Sequence, residues 1–65
     1  MNSTSDLAKA TILQLDSHPR SSERSAHKFK MVEIAEKAAA GIPVGNDVAL
    51  ERIIAASEWC EKQAA

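Results

Sequence analysis

Ser21-Ser22-Glu23-Arg24-Ser25-Ala26-His27-Lys28-Phe29-Lys30-Met31-Val32-Glu33-Ile34-Ala35-Glu36-Lys37-Ala38-Ala39-Ala40-Gly41-Ile42-Pro43 carries a start signal, a helical body and a stop signal in one stretch. Ser21 or Ser22 supplies a side-chain oxygen for the first free backbone N–H groups, and Glu23 suits the positive end of the helix dipole. Gly41 suits the left-handed position after the last turn, Ile42 the apolar contact beyond it, and Pro43 blocks continuation. The stretch predicts one helix over about 21–40. With Met31 at the centre of its inward stripe, Ala35, Ala38 and Ala39 fall within about 80°, with Ile34 and Val32 at the edges. Continued toward the N-terminus, the same stripe runs through Lys28, His27 and Arg24, while Glu33, Lys37 and Lys30 face outward.

Working outward, Asp16-Ser17-His18-Pro19 ends an earlier helix, because proline disfavours helical geometry at His18 and lacks an N–H. That helix is expected over about 6–15, with Ser3, Thr4 and Ser5 as candidate caps and Asp6 favoured by the dipole. Ala8, Ile12 and Leu15 form one stripe on it, and Ala10 and Leu13 lie on the far side. Beyond Pro43, Val44-Gly45-Asn46 reads as a turn with Asn46 capping a third helix over about 47–62. Leu50, Ile53, Ile54, Ser57, Cys60 and Ala64 share one face of it, and Val48, Ala55 and Trp59 the opposite one. No stretch alternates in the manner of a half-buried strand. The fold class is therefore all-α: a single helical domain over 1–65, a small helical hairpin or three-helix bundle. Helices two and three are expected as the antiparallel main pair, with a shorter first helix against them.

A chain of 65 residues buries only about 60% of its unfolded surface, so small domains of this size lean on disulfides, metals or self-association. Cys60 is the only cysteine, which rules out a disulfide within the chain. His18, His27 and Cys60 lack zinc-ligand spacing, so neither metal nor other cofactor is expected. Self-association remains, and the first helix, apolar all round, needs cover on a second side. Leu13 on that helix, with Val48, Ala55 and Trp59 on the third, makes the candidate interface of a homo-oligomer. Tryptophan is over-represented at such contacts. A hydrophobic fraction of 45% argues against disorder. No apolar run approaches the ~20 residues that span a bilayer, and the polar N-terminus lacks a signal-peptide pattern. A cytoplasmic protein with no membrane partner is the expectation.

The net charge of −1 hides an asymmetry. Residues 1–17 sum to −1, residues 18–30 to +3, residues 31–40 to −1 and residues 41–65 to −2. Burying unpaired cations costs several kcal/mol each, so the basic first half of helix two either projects beyond the core or lines a polar pocket. Arg20, Ser21, Ser22, Arg24, His27 and Lys28 gather at a helix start, where free N–H groups and the dipole favour phosphate or carboxylate. These six are the candidate binding residues for a phosphate- or nucleotide-like anion or an acidic protein surface. The competing reading is a solvated face, with Glu23 pairing to His27 and Lys28 to Glu33 or to acids of helix three.

Catalysis finds little support. Cys60 falls on the apolar face of its helix, the histidines belong to no motif, and Glu33 and Glu36 diverge. The chain is expected not to be an enzyme. The run Ile34–Val44 resembles a helix-turn-helix, which implies a recognition helix beyond Gly41. It departs from that motif in placing Ala35 six residues before the glycine rather than four, and the helix that follows is net negative, unsuited to phosphate. If nucleic acid is bound, the segment from Arg20 to Lys30 is the better place, with Phe29 its one aromatic. Three expectations follow. The first is a non-catalytic regulator binding an anion or acidic surface. The second is an interaction module or inhibitor working through Trp59 and helix one. The third is a nucleic-acid-binding regulator.

Overall fold

The computed structural model describes residues 4–64, arranged as three helices: α1 Thr4–Asp16, α2 Ser22–Ala39 and α3 Asn46–Ala64. No strand occurs among the described residues. Each helix is within about two residues of its expected span. α1 begins earlier, taking in Thr4 and Ser5, and α3 runs past Lys62. Ser3 and the side chain of Ala64 lie outside the described residues.

Local chemistry sets the boundaries of α2. Ser21 is its N-cap, in extended conformation, and its Oγ accepts from the Arg24 N–H at 3.1 Å. At the other end Gly41 takes φ +73, and two reversed bonds close the helix. Gly41 N–H donates to Ala38 O at 3.2 Å and Ile42 N–H to Lys37 O at 2.9 Å. That pair is the Schellman arrangement, which requires a residue tolerant of positive φ at its turn.

The core joins Ala8, Thr11 and Leu15 of α1, Met31 and Ile34 of α2, and Ala49, Ile53, Ala56 and Cys60 of α3. Leu7, Ile12, Val44 and Trp59 pack at its edge. Thr11 is the one buried polar residue among those described, and its hydroxyl is satisfied by donating to Leu7 O at 2.7 Å. Burying side chains such as Leu15, Met31 and Ile34 contributes about 1.5–3 kcal/mol each.

Two expectations are corrected. The inward face of α3 is centred on Ala49, Ile53, Ala56 and Cys60, so Leu50 (39% exposed) and Ile54 (55% exposed) sit outside. On α2, Ala38 and Ala39 are exposed rather than inward, and Ile34 lies in the core rather than at its edge. The helix pairing differs as well. α1 makes closer contact with both α2 and α3 than they make with each other. Its contact face offers Ala8 and Thr11, which admit neighbouring helices closely. Between α2 and α3 stand long or broad side chains: Lys30 and Arg52 at a groove, Glu33 beside Arg52, and Trp59 against His27. The two remain antiparallel, since Glu23 meets Trp59 and Glu33 meets Arg52.

Candidate functional site: the cationic start of α2

The six residues expected to form one site are divided by the fold. Ser21 is engaged as the cap of α2, and Ser22 is exposed in the first turn. Arg24 reaches back over the α1–α2 connection. Its Nη1 donates to His18 O at 3.0 Å and stands 4.0 Å from Asp16 Oδ1. Its side chain is only 14% exposed, and its Nε is buried without an acceptor. Lys28 Nζ donates to Asp16 Oδ1 at 2.7 Å. The expected pairing of Lys28 with Glu33 is thus replaced by a bond to the end of α1. Glu33 instead binds Lys37 at 2.9 Å, one turn along its own helix.

Asp16 is the hinge of this cluster. Its carboxyl is held below the usual carboxylate range, chiefly by the hydrogen bond from Lys28. The charges of Lys28 and Arg24 add to this, and partial desolvation opposes it. Arg24 and Lys28 therefore share one carboxylate, and the pair keeps a positive excess.

His27 turns to the other side of α2. Its ring lies 5.8 Å from that of Trp59, and His18 approaches the same indole edge-on at 5.6 Å. Trp59 Nε1–H donates to Glu23 Oε2 at 2.8 Å. Glu23 thus meets Trp59 rather than His27. Trp59 is half-buried within the bundle, and this is where its ring and its N–H are engaged. Of the other candidate interface residues, Leu13 is 74% exposed, while Val48 and Ala55 line a groove between α2 and α3.

What the cations surround is a depression of about 400 Å³ lined by Arg20, Arg24, Ser25, Lys28, Phe29 and Val32. Phe29 is 71% exposed there. The chain matches no protein-family model, no curated protein and no solved structure. Phe29 and Val32 were absent from the residues expected in the site. The signal for them is the spacing of Ser25, Lys28, Phe29 and Val32, at i, i+3, i+4 and i+7, which marks a second stripe on the outer side of α2.

Elsewhere, Cys60 is a core residue, and burial pushes its thiol above the ordinary range. Among the described residues no three of His, Cys, Asp and Glu converge as a metal site would need, and no helix is long and apolar enough to cross a membrane.

Proposed function

We propose that this chain is a non-catalytic binding protein whose working surface is the outer face of α2. There Arg20, Arg24 and Lys28 rim Phe29 and Val32, and the partner is an acidic protein segment presenting an apolar side chain. The observation that carries the reading is the exposure of Phe29, 71%, in a depression that it shares with Arg20, Arg24 and Lys28.

The chemistry of recognition follows from that placement. Burying an exposed phenylalanine contributes about 1.5–3 kcal/mol, and aromatic rings with neighbouring arginines dominate many interfaces. Arg24 is mostly buried, with Nη1 donating to His18 O, whereas Arg20 is exposed and carries five N–H donors. A partner carboxylate can take those of Arg20 in a forked contact. The cations at the rim raise the encounter rate and fix the sign of the partner more than they add affinity. A small anion alone leaves Phe29 uncovered, and a purely apolar partner leaves the rim unmatched. Only a partner with both uses the whole face.

Arg20→Glu and Phe29→Ala test the reading together. Each is expected to weaken binding of a glutamate-rich, leucine-bearing peptide, and binding unchanged in both removes it.

A second reading, self-association, has its own support in Leu50 and Ile54. These lie one turn apart on α3 and are exposed at 39% and 55%, respectively. Light scattering after size exclusion reads it directly. A dimer that Ile54→Ser dissociates supports it, and a monomer at high concentration removes it.

A further inference from the structure

A second concavity lies on the other flank of α2, between it and α3. His27 and Lys30 of α2 face Val48, Glu51, Arg52 and Ala55 of α3 across a groove of about 260 Å³. Two cations from two helices converge on it. Lys30 has no carboxylate partner among the described residues. Arg52 stands 3.9 Å from Glu33 Oε1, and that oxygen already accepts from Lys37 at 2.9 Å. Val48 and Ala55 give the groove an apolar wall.

We infer that this groove is a binding site for a small carboxylate carried on a compact apolar body. Arg52 meets the carboxylate with its planar fork, Lys30 adds a point charge from the facing helix, and Val48 and Ala55 cover the apolar part. Charge decides between anion classes. Lys30, Lys37 and Arg52 against Glu33 and Glu51 leave a formal +1, which a monocarboxylate balances and a phosphate monoester, near −2 at neutral pH, exceeds. Size decides the body. Sites for drug-sized ligands run about 300–1,000 Å³, so this groove holds a single ring or a short branched chain.

Trp59 is the chain's one tryptophan, and His27, which lines the groove, packs against its ring, so ligand entry is readable from Trp59 emission. The experiment titrates the full chain with phenylacetate, using benzyl alcohol as the uncharged control. Saturable change with phenylacetate, at least tenfold weaker in Arg52→Gln and weaker in Lys30→Gln, is the expected result. Lys30 is exposed and unpaired, so its variant reports on the site without disturbing the fold. Phe29→Ala, on the opposite flank, is expected to leave the titration unchanged, which keeps this site separable from the α2 face. No saturable change, an equal response to benzyl alcohol, or parental affinity in both charge variants overturns the inference.

Discussion

Trp59 Nε1–H donates to Glu23 Oε2 at 2.8 Å across 36 residues of sequence, tying the far end of α3 to the first turn of α2. The indole carrying that bond also packs against His18 and His27, so one side chain joins the α1–α2 connection, α2 and α3. Trp59→Phe keeps the ring face and loses the donor. For a solvent-exposed bond it is expected to cost about 0.5–1 kcal/mol. Trp59→Ala also removes the packing and should cost about 3 kcal/mol. Urea unfolding followed by far-UV circular dichroism measures both, and equal losses would place the energy in the hydrogen bond rather than in the ring.

Asp16 predicts an acid limb of stability. Its folded pKa lies below the unfolded value through the Lys28 hydrogen bond and the charges of Lys28 and Arg24. Its ionised form therefore stabilises the fold fully above the unfolded pKa of about 3.9. That contribution fades as pH falls through the lower folded value. Glu33 acts in the same direction through its bond from Lys37. Asp16→Asn should be less stable than the parent at neutral pH, with the gap closing below about pH 4. Thermal unfolding across pH checks it, and a pH-independent gap would assign the loss to something other than charge.

Neighbouring isoleucines test the phase of α3. Ile53 is 7% exposed and Ile54 55%. Ile53→Ala should cost about 2–4 kcal/mol through a cavity, whereas Ile54→Ala should fall within about 0.5 kcal/mol. A domain of this length holds on the order of 3–10 kcal/mol in total, so the first change leaves a chain close to unfolding. Reversed costs would rotate α3 by a full residue step.

Gly41 gives a backbone test free of packing. A Cβ there meets nothing within 4 Å, yet φ is +73. Gly41→Ala is therefore expected to destabilise by about 1 kcal/mol through conformation alone, with Gly41→Asn milder. Denaturant midpoints of the two variants decide it.

The helix ends were legible because they are written locally. Ser21 caps, Gly41 turns and Pro43 stops within a few residues of where they act. The phase of α3 was not, since its buried face uses Ala49 and Ala56, which a hydrophobic stripe centred on Leu50 and Ile54 outweighs. Small residues win there because they let α1 approach closely, a property of the assembled bundle rather than of one helix. The basic start of α2 was visible as a charge excess. Its division into an Arg24–Lys28–Asp16 cluster and a His27–Trp59 contact depends on contacts between different helices, which spacing on one helix does not encode.

The Phe29 face of α2 is proposed to take an acidic, apolar-bearing protein segment. The most direct measurement is a titration of the isotopically labelled chain with a glutamate-rich peptide containing one leucine, read by amide chemical shifts. A matched peptide with lysine in place of glutamate serves as the control. The expected result is saturable shifts confined to Arg20–Val32, weakened by added salt and lost in Phe29→Ala. Saturation by the lysine peptide alike, or shifts centred on Leu50 and Ile54, would contradict it.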